Sequence, residues 1–174
     1  KTPPIGKSLI CIDNKNINKI LPRIRKKNIL TYGFNKKANF IITNPCYDTV
    51  YSKFDLQYKD INKKKITVKN IYLKLIGKHN ILNATAAIAV CLNLGVKIKI
   101  IKKALKNFSG VQRRMTKIFT KKNNEFFDDY AHHPTEISSV LDGVSKVYDK
   151  EDIVCIFQPH RISRVKNLKK EFSK

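Results

Sequence analysis

The chain has 174 residues of which 42% are hydrophobic, enough to bury a core, and this excludes a disordered or low-complexity polypeptide. A formal charge of +23 would suit a phosphate backbone, yet only six of the 36 basic residues are Arg, and the rest are Lys in a chain crowded with Ile and Asn. That is the mark of a compositional bias that spreads Lys over solvated surface. With no recognisable nucleic-acid module, a nucleic-acid footprint ranks behind it.

In chain order, residues 1–5 read as a connector, and 8–12 read as a short buried strand ending at Asp13-Asn14. Ile17, Ile20, Leu21 and Ile24 fall at helical spacing in 16–25, with Pro22 ending or bending that helix. A second strand over 29–34 completes a strand-helix-strand opening. Then the character becomes antiparallel. Residues 38–42 are strand-like and Asn44-Pro45 breaks them. Residues 49–58 alternate, with Val50, Phe54, Leu56 and Tyr58 on one face and Lys53, Asp55 and Gln57 on the other. Residues 66–75 supply another strand.

A helix opens at Gly77-Lys78-His79-Asn80, runs to Leu94 and is closed by Gly95. Its body is apolar nearly all round, which predicts burial. A further helix over 98–108 carries Ile98, Ile101, Ala104, Leu105 and Phe108 on one stripe, and Ser109-Gly110 then marks the best domain boundary. Beyond it, 114–119 and 125–130 predict a hairpin, 134–148 an amphipathic helix, and 153–157 a continuous apolar strand of the parallel kind.

Cys11, Cys46, Cys91 and Cys155 are far apart with no CxxC pair, so neither a zinc nor a redox motif is indicated. The longest wholly apolar run, 86–92, is too short to span a bilayer, and no signal peptide opens the chain. The expected setting is cytoplasmic.

Four clusters carry chemistry. Residues 126–136, Phe-Phe-Asp-Asp-Tyr-Ala-His-His-Pro-Thr-Glu, read as a strand ending on polar groups just as a helix begins, which is where α/β proteins place ligands. Pro134 suits the first helical position and Glu136 the positive end of the helix dipole. A metal site using His132 or His133 with His160 is disfavoured. Adjacent residues of an extended chain point to opposite sides, and no third ligand stands at diagnostic spacing. Asn80 and Asn83, on one face at a helix start, could read the edge of a planar heterocycle or simply cap the helix. Arg113-Arg114 follows the boundary and could neutralise phosphate held by the preceding segment. Arg161 and Arg164, three apart after a strand, could grip a small carboxylate with planar forks.

The segments 77–84, 110–114, 128–136 and 157–164 together resemble, in order, motifs of the Mur ligase family, and of its branch that joins L-alanine to UDP-N-acetylmuramate in peptidoglycan precursor synthesis. The resemblance implies an α/β fold. Residues 1–110 would be the later part of a central ATP-binding domain with a mixed sheet and helices. Residues 111–174 would be the start of a Rossmann-like C-terminal domain that binds the amino acid. It implies ATP and magnesium as cofactors and amide formation through an acyl phosphate. By the same resemblance His79, Asn80, Asn83, Arg114 and Asp129 bind ATP, with Asn80 and Asn83 at adenine and Asp129 at ribose. Tyr130, His132, Arg161 and Arg164 surround L-alanine, Arg114 and His132 serve the chemistry, and His133 and His160 are structural supports.

One departure is large. No GxxxxGK[ST] loop occurs, so the Lys and Ser/Thr that would cradle phosphate and magnesium are absent, as are the UDP-binding domain and the upstream magnesium ligands. The first residue is Lys, and a helical pattern has just begun at 167–174, so the expectation is a piece of a longer ligase, inactive without its missing N-terminal portion. The rival within the family is the branch that recycles a murein tripeptide. The rival outside it is a basic nucleic-acid-binding protein.

Overall fold

Short apolar runs separated by turn residues build a five-stranded sheet in the order β1-β2-β3-β4-β5. The computed structural model describes residues 6–24, 28–48 and 51–173, so the connector 1–5, Arg25 and the first residues of the alternating run, Thr49 and Val50, lie outside the described residues. β1 (Ser8–Cys11) and β2 (Ile29–Gly33) pair in parallel, β2 continues in parallel to β3 (Phe40–Tyr47), and β4 (Ser52–Lys59) and β5 (Lys65–Leu73) add antiparallel ladders. Between β1 and β2 lies α1 (Lys15–Ile20), followed by a single 3-10 turn that begins at Leu21 and contains Pro22. Asn14 caps α1 by accepting from Asn16 N and Ile17 N. Asp13 ties the ends of β1 and β2 by accepting from Phe34 N and Asn35 N at 2.8 and 3.0 Å.

β3 differs from the sequence expectation because Asn44-Pro45 does not end it. The register shifts between Thr43 and Cys46, so Pro45, which has no N–H to give, sits in a bulge outside the β3–β4 ladder. Asn44 takes a positive φ of 50° and donates from Nδ2 to Asp55 Oδ2 of β4 at 2.8 Å.

α2 (Lys78–Asn93) packs across β1 to β4, and α3 (Ile98–Asn107) covers β5. Phe40, Ile42, Phe54, Leu56, Ile71 and Leu73 of the sheet meet Ile81, Ile88 and Ala89 of α2 and Ile101 of α3 in one core. Burying each large apolar side chain contributes about 1.5–3 kcal/mol. Two fully buried residues satisfy their hydroxyls, Ser52 Oγ donating to Leu75 O and Thr85 Oγ1 to Ile81 O at 2.7 and 2.8 Å, while the buried Thr43 Oγ1 of β3 meets no partner. α2 is less buried than its composition predicts, since Val90 is exposed on the face turned from the sheet. Helix α3 likewise buries Ile101 but leaves Ala104 and Phe108 exposed.

After α3 the chain forms a hairpin of β6 (Thr116–Lys121) and β7 (Asn124–Asp128), with Phe119 and Phe126 stacked at 4.2 Å. α4 (Pro134–Val144) follows, with turn hydrogen bonds continuing to Tyr148. α4 meets the start of α2, where Gly143 Cα lies close to Gly77. A Cβ on Gly143 would stand 3.4 Å from Gly77 Cα and 3.9 Å from Ile76 O. Lys146 Nζ, just past α4, lies 4.2 Å from the Tyr47 ring centroid on β3.

The apolar run 153–157 forms no strand. The hairpin β6–β7 pairs only with itself among the described residues, so no neighbouring strand offers the run a ladder, and Val154 and Ile156 stand 85% and 94% exposed. Two short helices close the described chain, α5 (Ile162–Asn167) and α6 (Lys169–Phe172). Among the described residues no helix is long and apolar enough to cross a membrane.

Candidate functional site

The start of α2 and the loops flanking the β6–β7 hairpin enclose a cleft of about 950 Å³. His79, Asn80 and Asn83 line it from α2, and Arg114, Asp129 and Tyr130 from the opposite wall. Thr135, Glu136 and Ser139 of α4 reach it as well. Six residues singled out from separate stretches of sequence thus share one surface.

The residue before α2 is Gly77, whose φ of 106° suits glycine alone; its carbonyl accepts from Asn80 N and Ile81 N, and no side chain caps the helix. Asn80 donates from Nδ2 to Ile76 O at 2.8 Å, which leaves its amide oxygen and second N–H for a ligand. Asn83, one turn on, is exposed. His79 Nδ1 is buried and meets no hydrogen-bond partner. Burial pushes the His79 imidazole below its usual range and the Arg114 charge adds to this, while the Asp129 charge and the Ser139 backbone pull the other way.

Asp129 is held on both oxygens. Oδ2 accepts from Met115 N at 2.8 Å and Oδ1 from Ala131 N at 2.7 Å, so the carboxylate joins the entry of β6 to the exit of β7 and keeps one lone pair per oxygen for a ligand. His132 and His133 have different partners. His132 Nδ1 donates to Tyr130 O at 2.9 Å and lies 3.6 Å from Glu136 Oε2, whereas His133 Nδ1 accepts from Thr135 N at 3.3 Å and caps α4. Glu136 completes the capping box by accepting from the N–H groups of His132 and His133. Burial works against its charge, but those two N–H groups hold its carboxyl below the usual range.

The remaining site residues are placed less closely. His132 meets the Tyr130 ring edge-on at 5.0 Å and the His160 ring at 6.5 Å, which puts the turn carrying Arg161 beside the site. Arg161 is exposed with φ of 66° at the start of α5, and Arg164 is half-buried with Nη1 buried and unpartnered. Neither lines the cleft. Among the described residues no group of three or more His, Cys, Asp or Glu comes together as a metal would need.

Two features have no sequence signature. Arg113 lies over Tyr130, with Cζ 4.9 Å from the ring centroid, and donates from Nε to Asp128 Oδ2 at 3.1 Å. Gly77 and Gly143 abut across the two segments. The first could be suspected only from an Arg in a Lys-rich chain, because no local pattern foretells the positive φ values at Arg113 and Met115.

The Mur ligase middle domain matches residues 1–91, and the Mur ligase, glutamate ligase domain matches residues 113–174. The chain is 54% identical to the UDP-N-acetylmuramate--L-alanine ligase of Pelagibacter ubique, over 99% of this chain and 37% of that protein. Among solved structures it is similar to the UDP-N-acetylmuramate-alanine ligase of Thermotoga maritima (TM-score 0.64, 34% identity, 80% of this chain and 32% of that one). It is also similar to a murein peptide ligase of Psychrobacter arcticus (TM-score 0.57, 29% identity, 81% and 28%). The chain spans a little over a third of the length of the curated relatives it matches. Two domain matches in order, the first covering more than half of the residues, mean that the chain belongs to the Mur ligase family.

Proposed function

We propose that this chain is the adenine- and amino-acid-binding portion of an ATP-dependent UDP-N-acetylmuramate:L-alanine ligase. Residues 1–110 belong to its central domain and 111–174 to the start of its C-terminal domain. The observation that carries this reading is the shared cleft, with amides from α2 on one wall and Arg114, Asp129 and Tyr130 on the other. Its residues fit an adenine nucleotide. The buried, unpartnered His79 Nδ1 and the free edges of Asn80 and Asn83 suit a planar base, Asp129 keeps lone pairs for ribose hydroxyls, and Arg114 brings a fixed positive charge. Magnesium is different: among the described residues no carboxylate cluster fits it, and the phosphate loop motif does not occur in the sequence.

When bound, ATP supplies the phosphoryl group that activates the muramoyl carboxylate, after which the alanine amine displaces phosphate to form the amide. This chain's own groups hold and orient. Tyr130 and His132 flank the amine donor, Arg161 and Arg164 take its carboxylate, and Arg114 offsets charge on the phosphate side. In this reading the protein works in the cytoplasm, where ATP and the nucleotide sugar are found, and the relatives' remaining two-thirds supply the UDP-sugar and phosphate-loop parts.

The test is a Pelagibacter ubique ligase whose matching segment is replaced by this chain. L-alanine-dependent phosphate release with UDP-N-acetylmuramate supports the reading, and Arg161→Ala then raises the alanine KM. A preference for a tripeptide acceptor moves the chain to the recycling branch. By themselves the 174 residues release no phosphate from ATP under the same conditions, and turnover by the isolated chain would refute that part.

A further inference from the structure

Arg113 and Arg114 are neighbours with different tasks. Both line the cleft, and the Arg114 charge bears on His79 and Glu136. Arg113 turns to Tyr130 and is fixed at three points. Its carbonyl accepts from Tyr130 N at 2.8 Å, its Nε donates to Asp128 Oδ2 at 3.1 Å, and its guanidinium lies over the Tyr130 ring with Cζ 4.9 Å from the centroid. The backbone that achieves this is strained, since Arg113 and Met115 take φ of 58° and 49°. Met115 N is held in turn by Asp129 Oδ2 at 2.8 Å.

Stability does not account for the arrangement. The side chains of Arg113 and Asp128 are 60% and 41% exposed, an ion pair of that exposure adds little, and two left-handed non-glycine residues subtract from it. What the contacts do fix is a ring. Tyr130 is half-exposed on the cleft, and its ring meets His132 edge-on at 5.0 Å, which lies 6.5 Å from His160, the residue before Arg161. Planar groups therefore run from the hinge to the turn that carries Arg161, and the guanidinium is the first of them.

We propose that Arg113 is a positioning residue, which sets the orientation of the Tyr130 ring and through it the geometry of the amino-acid end of the site. The identity of the amino substrate rests on the ligase reading above; the positioning of the ring does not. A planar guanidinium is required, because it stacks on the ring while its Nε bonds Asp128, whereas the Lys ammonium has neither a plane nor a second donor along its stem.

Two measurements test this. In the 174-residue chain, Arg113→Ala shifts the NMR ring signals of Tyr130 and His132 while those of the Phe40–Tyr58 stack, 5.4 Å apart in the five-stranded sheet, stay in place. Tyr130 signals that do not move overturn the proposal, whatever the enzyme does. In the Pelagibacter ubique ligase carrying this chain, Arg113→Ala raises the L-alanine KM about tenfold, with the ATP KM and kcat within about threefold, and Arg113→Lys recovers only part of the loss. An ATP KM that rises equally, an unchanged alanine KM, or full recovery by Lys overturns it. Moved ring signals with the KM effect on a different amino acceptor uphold the positioning and discard L-alanine as the substrate.

Discussion

His79 shows how one residue can be readable as part of a site and still owe its chemistry to packing. The sequence marks it only as a neighbour of Asn80 at a helix start. The fold buries its Nδ1 without a partner and depresses its pKa below the ordinary 6.5, burial being the largest cause. A lowered folded pKa means that the unfolded chain takes up the proton first as pH falls, so this contribution is full above about 6.5 and is lost below it. Urea midpoints measured at about pH 7.5 and about pH 5.5 should therefore differ less in His79→Gln than in the unmutated chain. An equal difference in both would mean that His79 is not buried as described. Asp129 acts on the same group from across the cleft, and its negative charge keeps His79 from falling further.

At the scale of elements, the junction of α2 with α4 rests on two glycines. A Cβ at Gly143 would already stand at contact distance from Gly77 Cα and Ile76 O, backbone atoms that cannot swing aside, so the γ carbons of a branched side chain would crowd them. Gly143→Val is therefore expected to destabilise the chain by about 1–3 kcal/mol in urea unfolding, as overpacking does. The same variant should widen the cleft, because Thr135, Glu136 and Ser139 ride on α4. A variant as stable as the parent would show that α4 does not sit against α2. β3 makes a related point. Asn44-Pro45 looks like a strand end, but a bulge removes Pro45 from the ladder and Asn44 is tethered to Asp55, so a local breaker is absorbed where β4 pairs with β3 on both sides of it.

For the whole molecule, the high positive charge is spread as Lys over solvated faces, and the residues that line the cleft come from motifs with other tasks. Binding to short duplex DNA should appear at low salt and fade at roughly physiological ionic strength, as counterion release without specific contacts requires. Retention of a duplex at that salt, in a filter-binding or anisotropy titration, would favour a nucleic-acid role over the compositional one. The two segments also touch just beyond the glycines, where Lys146 sits over the Tyr47 ring, so two contacts hold the C-terminal end of α4.

The sequence by itself determined the elements with strong periodicity and the identity of the chemical groups. The alternation of Phe54 and Leu56, the Ile98, Ile101 and Leu105 part of the α3 stripe, the capping logic of Pro134 and Glu136, and the four motifs were legible, because each depends on neighbours within one element. Tertiary structure decided which of those groups meet. It set α2 against the hairpin loops, brought Arg113 and Arg114 to the cleft with Arg113 over Tyr130, and left 154–157 exposed, although the apolar composition of 153–157 reads as a buried strand. The physical reason is that a strand needs a neighbour's backbone, and a site needs side chains from distant stretches. Both are fixed by contacts that no local pattern encodes.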